Sequence, residues 1–175
     1  DLARYYGLPS WGYAGCSSAK LFDEQAVMEA TIFTLLGALQ GCNIMHDVFY
    51  IESGRTGSLE LLVLMDEVIS RVKFLLRGIN CSPEHLAVEA VRRVGPGGSF
   101  LGDEHTARHF RDSWQPELSD FNSYSAWEEA GSKTMGDRIK EKIGRLLEEH
   151  RPLPLDSAAE KKIDKIIERA QGKMA

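Results

Sequence analysis

Long hydrophobic runs, a cysteine framework and an excess of basic charge are all missing from this sequence of 175 residues. No apolar stretch approaches the length of about 20 residues that a membrane-spanning helix needs. Cys16, Cys42 and Cys81 are odd in number and widely spaced, which favours the reduced thiols of a cytoplasmic protein over disulfide bonds. The net charge of −5 argues against a nucleic-acid-binding surface. The composition, with 43% hydrophobic and 27% charged residues, is that of an ordinary globular domain.

An initiator methionine and a signal peptide are also missing from the first residues of the sequence. The opening segment is typical of the last turn of a helix, and Gly7 is expected to end that helix. We therefore expect the chain to be a fragment of a longer protein.

Residues 1–80 contain two predicted strand–helix units. Pro9 excludes a helix from the first extended segment, and Asp23 is the predicted N-cap of the helix that follows it. A second, buried strand begins at residue 42 and leads to a helix capped by Ser58. The predicted buried stripe of that helix is Leu62, Met65, Ile69, Val72 and Leu76. Strand–helix–strand–helix order is typical of a parallel α/β fold.

Residues 81–175 contain only predicted helices, which are expected to pack on the first 80 residues within one domain. Ser82 and Pro83 are a favourable start for the first of these helices. Ser157 and Glu160 match a capping box for the last helix. The residues of this last helix that are predicted to face inward are Ile163, Ile166, Ile167 and Ala170.

Polar and aromatic residues are crowded at the exit of the second predicted strand, where His46, Asp47, Tyr50 and Glu52 follow one another closely. Proteins of the α/β class build their sites at such carboxyl ends of strands. Because side chains alternate along a strand, His46 and Asp47 are expected to face opposite sides. We interpret His46 as a substrate-binding or hydrogen-bonding group; the alternative is a buried histidine paired with a carboxylate.

Four aromatic residues, Trp11, Tyr13, Phe49 and Tyr50, flank the exits of the two predicted strands. Neighbouring strands would bring these rings together. Closely spaced aromatic faces bind quaternary ammonium groups because the ring quadrupole attracts a cation. Ordinary packing of the rings is the alternative interpretation.

Two further motifs have both a functional and a purely structural interpretation. His105 and His109 are four residues apart on a predicted helix, which is a spacing that metal ligands use. The motif lacks the glutamate of zinc proteases and has no cysteine nearby, so we expect polar helix residues and no metal site. Cys16 would be a nucleophile if a neighbouring cation or helix lowered its pKa, but a small loop residue is the favoured interpretation.

An ordered set of motifs along nearly the whole chain resembles the C-terminal part of the trimethylamine methyltransferase family. The motifs are LPS (8–10), GCSSAK (15–20), DEQ (23–25), YIESGRTGSLE (50–60), GSFLGDEHT (98–106), HFR (109–111) and HRPLPL (150–155). The sequence departs from the family pattern at Ser18, Phe49 and Arg55. Phe49, where the family commonly has glycine, would fill space beside the strand exit.

This resemblance implies an α/β fold that is the C-terminal portion of a TIM-type (β/α) barrel, helix-rich and with an all-helical extension. It also implies transfer of a methyl group from a methylated amine to the cobalt of a partner corrinoid protein, a reaction of methanogens and other anaerobes. The cobalamin would belong to that partner, and this chain would bind no cofactor itself. Two strand–helix units cannot close a barrel of about eight strands. The isolated fragment is therefore expected to be inactive, to expose apolar surface and to form homo-oligomers.

Substrate chemistry divides the family that the sequence resembles. Some members carry pyrrolysine and use trimethylamine, whose dialkylamide is a very poor leaving group and needs an added electrophile. Relatives without pyrrolysine act on quaternary amines such as glycine betaine. Once the methyl group is transferred, the remainder of such a substrate leaves as a neutral amine, so the protein needs only to enclose and orient the cation. All residues of this sequence are standard. A quaternary amine is therefore favoured over trimethylamine.

The resulting hypothesis places the bound cation among aromatic rings at the strand exits. The predicted catalytic residues are His46 and Glu52, which would orient the cation. The predicted substrate-binding residues are Tyr13, Phe49, Tyr50 and Lys20, the last supporting its loop. One alternative is a non-catalytic barrel relative or interaction module whose pocket is filled by Phe49. The other is a metal-dependent barrel lyase that uses His46, His105 and His109.

Overall fold

A computed structural model describes residues 1–172 of the chain. Residues 1–143 form one compact unit, and the described residues from 144 onward belong to a second. The strands of the described residues are β1 (Trp11–Tyr13), β2 (Ile44–His46), β3 (Tyr50–Ile51) and β4 (Thr56–Gly57). Their helices are α1 (Leu2–Tyr5), α2 (Glu24–Leu39), α3 (Leu59–Leu76), α4 (Pro83–Leu86), α5 (Val88–Val94), α6 (Glu104–His109), α7 (Tyr124–Glu129), α8 (Met135–Glu149) and α9 (Ser157–Gln171).

The strands β1 and β2 form a parallel pair that is connected through α2. Trp11 lies opposite Ile44, and Tyr13 lies opposite His46. The helix α2 begins at the predicted N-cap Asp23, whose carboxylate accepts a hydrogen bond from a main-chain N–H of the first turn. The predicted strand–helix–strand order is therefore present.

The second predicted strand is shorter than expected. It ends at His46 because Asp47 adopts a left-handed backbone conformation, with φ of 68°, and turns the chain. The strands β3 and β4 then pair antiparallel across a short 3₁₀ turn. Both sheets of the described residues have two strands, so these residues form no closed barrel. The coarser prediction, a helix-rich chain with α/β order, is confirmed.

The core of the first unit is built around α2 and α3. One buried cluster consists of Ala19, Ala26, Ala30, Ile51, Leu61 and Met65. A second cluster consists of Val63, Leu64, Leu118 and Ile139. The predicted stripe of α3 is partly wrong, because Leu62 and Leu76 are 40% and 46% exposed. Leu61 and Leu64 are buried instead, since their side of α3 is the one that meets α2 and α8.

Beyond residue 80 the described elements are all helices, as predicted. Ser82 caps α4 as expected, but Ala87 adopts a left-handed φ of 53° and separates α4 from α5, where one helix was expected. The predicted division into residues 1–80 and 81–175 stays a prediction. Among the described residues no helix has the length and apolar character that a membrane crossing requires.

The second unit contains the end of α8 and the whole of α9. The N-cap of α9 is Asp156, whose carboxylate accepts hydrogen bonds of 2.9 Å from the N–H groups of Ala158 and Ala159. The predicted capping box of Ser157 and Glu160 is therefore wrong. The isoleucines predicted to face inward are 45% to 58% exposed: Ile163, Ile166 and Ile167. An amphipathic pattern predicts a helix face but does not by itself supply a surface to cover it.

Candidate functional site

The carboxyl ends of β1 and β2 lie side by side, as the sequence predicts. Tyr13 is opposite His46, and the N–H of Ala14 donates a hydrogen bond of 2.9 Å to the carbonyl oxygen of His46. One face of the pair is covered by α2, where Gly37 allows a close approach. A Cβ added at Gly37 would lie 2.8 Å from the sulfur of Met45. The other face is therefore the one available to a ligand.

The uncovered face of β1 and β2 carries aromatic side chains. Because paired residues of parallel strands point to the same side, Trp11, Tyr13, Ile44 and His46 share this face. The His46 ring centroid is 4.9 Å from that of Trp11 and 4.9 Å from that of Tyr13. Trp11 and Tyr13 are 73% and 68% exposed. The imidazole thus lies between two exposed rings, which is an arrangement that can attract a cation.

His46 and Asp47 come together, which corrects the expected alternation of these two side chains. The Nδ1 atom of His46 lies 3.0 Å from Oδ1 of Asp47. The strand has already ended at Asp47, and its left-handed backbone directs the carboxylate back to the imidazole. This carboxylate therefore occupies the Nδ1 side of the imidazole ring. The Nε2 atom is therefore the nitrogen that a ligand could meet.

Phe49 and Tyr50 form a second ring pair, with centroids 4.3 Å apart. Phe49 lies over Gly57, where an added Cβ would come within 2.5 Å of the Cε2 atom of Phe49. Within residues 1–172 the ring contacts join Tyr13 to His46 and Phe49 to Tyr50, but they do not join the two pairs to each other. The proposed cage of Tyr13, Phe49 and Tyr50 stays a prediction.

Lys20 and Glu52 make local contacts near the strand exits. The Nζ atom of Lys20 donates a hydrogen bond of 2.7 Å to the carbonyl oxygen of Ser18, within its own loop. The carboxylate of Glu52 accepts a hydrogen bond of 2.9 Å from the hydroxyl of Thr56. Their roles toward a substrate stay predictions.

Main-chain hydrogen bonds connect the segments that follow the two strands. The N–H of Ser17 donates to the carbonyl oxygen of Tyr50 at 2.9 Å, and the N–H of Glu52 donates to Ala19 at 2.8 Å. The N–H of Ser53 donates to the carbonyl oxygen of Ser17 at 3.1 Å. The loop after β1 is therefore fastened along the segment that carries Tyr50 and Glu52.

Glu29 holds the same loop from α2, and no motif of the sequence indicates this role. Its carboxylate accepts hydrogen bonds from the Ser17 hydroxyl at 2.7 Å, the Ser18 N–H at 2.8 Å and the Gln25 amide at 2.9 Å. These bonds, that of Ser17 foremost, lower the pKa of Glu29 from 4.5 to about 2. No local pattern predicts this contact, because it depends on how α2 packs against the loop.

Cys16 lies in this loop and is half-buried. Burial raises the pKa of the Cys16 thiol, and the negative charge of Asp47 raises it further. The thiol is therefore protonated at neutral pH, which supports the interpretation of Cys16 as a loop residue and not as a nucleophile.

His105 and His109 lie together on α6, with ring centroids 4.4 Å apart. The candidate metal-ligand groups of the described residues combine these histidines with His85 and nearby carboxylates, and His46 is in none of them. The lyase site proposed from His46, His105 and His109 is therefore not formed in the part of the chain that the structure describes.

Comparison with known proteins agrees with the motif set. A family model described as trimethylamine methyltransferase (MTTB) matches residues 1–175. The chain belongs to the trimethylamine methyltransferase family. It is 37% identical over 169 residues to trimethylamine methyltransferase MttB of Methanosarcina barkeri (strain Fusaro / DSM 804), which covers 97% of this chain and 34% of that protein.

Two further relatives of this chain are named for different substrates. Trimethylamine methyltransferase MttB of Methanosarcina thermophila is 39% identical over 156 residues, or 89% of this chain and 32% of that protein. Glycine betaine methyltransferase of Desulfitobacterium hafniense (strain Y51) is 29% identical over 169 residues, or 95% of this chain and 35% of that protein. The chain spans about a third of the length of these relatives.

Proposed function

We propose that this chain is part of an enzyme that transfers a methyl group from a methylated amine to the Co(I) centre of a corrinoid protein. It would supply C-terminal strands and helices of a TIM-type barrel in a cytoplasmic, homo-oligomeric protein. The observation that carries the proposal is the uncovered face of β1 and β2, where His46 lies between the exposed rings of Trp11 and Tyr13. Family membership supports the reaction class, since the relatives are named for trimethylamine and glycine betaine methyl transfer.

The substrate that fits this face best is a quaternary amine such as glycine betaine. In the transfer a bond forms between cobalt and the methyl carbon as the C–N bond breaks, and the electron pair of that bond stays on nitrogen. A quaternary ammonium group then leaves as a neutral amine without needing a proton. The protein has to attract the cation, exclude water and direct one methyl group at the acceptor.

The residues at the strand exits divide these tasks. The rings of Trp11 and Tyr13 would attract the cation from the β1 side, at about 0.5 to 2 kcal/mol for each ring. Phe49 and Tyr50 would close the cage from the other exit. His46 or Glu52 would orient the substrate, and Lys20 would hold the loop through its bond to the Ser18 carbonyl.

A direct assay of the whole protein tests this proposal. The protein is incubated with a reduced corrinoid protein and either glycine betaine or trimethylamine, and methylcobalamin formation is followed spectroscopically. We expect product with glycine betaine, a loss of kcat/KM of about 2- to 30-fold for Tyr13→Ala, and recovery for Tyr13→Phe, which keeps the ring. Tyr124→Ala is the control, because Tyr124 is an equally exposed aromatic residue far along the chain, at 73%.

The outcomes of this assay separate the parts of the proposal. Product with trimethylamine alone would refute the quaternary-amine assignment and keep the methyl transfer. No product with any methylated amine would refute the methyl transfer itself.

A non-catalytic relative is the second candidate, favoured by the half-buried Phe49 ring that lies over Gly57 at the strand exit. In that case neither amine would bind to the protein. Titration calorimetry with the two amines, on the protein and on its Phe49→Gly variant, distinguishes the candidates. Binding that appears only in Phe49→Gly would favour the non-catalytic relative.

A further inference from the structure

A cluster of histidines and carboxylates lies in the helical region, on residues that the proposed methyl transfer does not use. His85 belongs to α4, His105 and His109 belong to α6, and Asp112 follows α6. The His109 ring centroid is 5.0 Å from that of His85 and 4.4 Å from that of His105. Three imidazoles so close together are unfavourable if all are protonated, and the arrangement is favourable if two of them bind one cation.

The ligand atoms of His85, His109 and Asp112 converge on one small volume. The Nδ1 atom of His109 is 2.6 Å from Oδ2 of Asp112, and the Nε2 atom of His85 is 3.9 Å from the same oxygen. All three ligand atoms lie within 4.8 Å of one another. Zinc bonds of roughly 2.0–2.2 Å in tetrahedral geometry need ligand atoms about 3.4 Å apart. The three groups therefore need only small rotations to share one ion.

The surrounding residues orient these ligands. Without metal, Nδ1 of His109 donates to Asp112, and Nε2 is 3.1 Å from a carboxylate oxygen of Glu84. A bound ion would displace the Nδ1 proton to solvent while the Nε2 N–H keeps donating to Glu84. The Nδ1 atom of His85 is 3.0 Å from the hydroxyl of Ser82, and its Nε2 atom is 3.3 Å from the side-chain amide of Asn80. An amide N–H directed at Nε2 identifies it as the nitrogen with the lone pair, which a metal would take over.

The alternative set of Glu84, His105 and His109 is less suited to a cation. The guanidinium of Arg108 is 2.9 Å from the Glu84 carboxylate, so a positive charge already occupies that side. The Nε2 atom of His105 is 2.7 Å from the carbonyl oxygen of Glu84, so it is a donor and cannot offer a lone pair there.

We propose that His85, His109 and Asp112 bind a divalent transition-metal ion, best Zn²⁺, with Glu84 as the hydrogen-bonding partner of His109. Two imidazole nitrogens and one carboxylate suit zinc and leave a fourth position for water. The ion would join α4 to the end of α6. Both helices are short and contain no buried residue. The first effect of the ion would be to stabilise this region.

Titration calorimetry of the chelator-treated protein with Zn²⁺ alone tests the site. We expect one Zn²⁺ per chain, a raised Tm in the presence of Zn²⁺, and affinity losses of more than about 100-fold for His109→Ala and Asp112→Asn. Glu84→Gln is expected to weaken binding by about 10- to 100-fold, as loss of such an outer partner does elsewhere. His105→Gln is the matched control, because it removes a neighbouring histidine and no ligand, and its affinity is expected to equal that of the wild type.

Circular dichroism of each variant without metal shows whether it is folded. If His109→Ala does not fold, His85→Ala serves in its place. The absence of saturable Zn²⁺ binding would overturn the proposal. Wild-type affinity in folded His85→Ala, His109→Ala or Asp112→Asn would do the same. A loss of binding in His105→Gln equal to that in His109→Ala would refute the assigned ligand set.

Discussion

Replacing Glu67 by glutamine tests how much one buried carboxylate contributes to the stability of the first unit. Glu67 lies on α3 and is 7% exposed. One of its oxygens accepts hydrogen bonds from the N–H groups of Glu117, at 2.9 Å, and Leu118. The other accepts from the N–H and the hydroxyl of Ser119, at 2.9 and 2.6 Å. This carboxylate thereby fixes the segment that inserts Leu118 into the second core cluster.

Burial by itself would raise the pKa of Glu67, but the hydrogen bonds of Ser119, Leu118 and Glu117 outweigh it and lower the pKa below 4.5. The folded state therefore binds the proton less tightly than the unfolded state. The stabilisation is fully present above the unfolded-state pKa and is lost as the pH falls through the folded-state pKa.

The expected cost of Glu67→Gln follows from the geometry of the amide. Glutamine keeps one acceptor oxygen, so the N–H donors on the other side face an NH₂ group. Each hydrogen bond to a charged group contributes about 1.5–3 kcal/mol, so the loss of two corresponds to about 3–6 kcal/mol. Relaxation of the partly exposed segment lowers this energetic cost. We therefore expect a decrease of about 3 kcal/mol in the free energy of unfolding at pH 7.

Urea denaturation followed by tryptophan fluorescence measures this decrease. Asp66→Asn is the control, because Asp66 is the adjacent residue, its side chain is 79% exposed, and it lies 3.7 Å from Lys142. The control is expected to change the free energy of unfolding by less than about 0.5 kcal/mol. The difference between wild type and Glu67→Gln should shrink as the pH is lowered below 4.5. A decrease below about 1 kcal/mol at pH 7, or one that is the same at every pH, would refute the assigned role.

Three further substitutions test the strand exits. Glu29→Gln should reduce hydrogen-exchange protection of the Ser18 amide by about tenfold or more, since the charged acceptor at 2.8 Å is lost, and unchanged protection would contradict this. Because the pKa of Glu29 is about 2, the wild-type protection should persist at pH 4, where a glutamate with the ordinary pKa of 4.5 is mostly protonated. Gly57→Ala should destabilise the protein by about 1–3 kcal/mol in thermal melts, since the added Cβ would clash with the Phe49 ring. In a protein that also carries Phe49→Ala the clash is absent, and Gly57→Ala should be nearly neutral. Ser58→Ala should lower the free energy of unfolding by about 1 kcal/mol, because the cap of α3 is lost; Ser58→Asp, which keeps an acceptor, should restore it.

Much of the secondary structure could be predicted because its signals are local. The side chains of Asp23, Ser58 and Ser82 each accept a hydrogen bond from the N–H three residues ahead, so the residue type at one position decides the contact. Local signals fail where two residues compete, as at Asp156 and Ser157, or where a non-glycine residue such as Ala87 takes a left-handed conformation.

Only those parts of the candidate site that follow from the order of the strands could be predicted from the sequence. Parallel neighbours bring Tyr13 opposite His46, and strand periodicity then places Trp11 on the same face. The turn at Asp47, where the backbone takes a left-handed conformation, was not predictable from the alternation of side chains along a strand.

The sequence by itself determined the family, the strand and helix order and the aromatic residues at the strand exits, because each depends on residue types at short, fixed spacing. The tertiary structure alone decided which carboxylates act as anchors. Glu29 binds a loop eleven residues away, Glu67 binds a segment fifty residues away, and His85 meets Asp112 across two helices. Such contacts depend on how the helices pack, and packing is a property of the whole core and not of any local pattern.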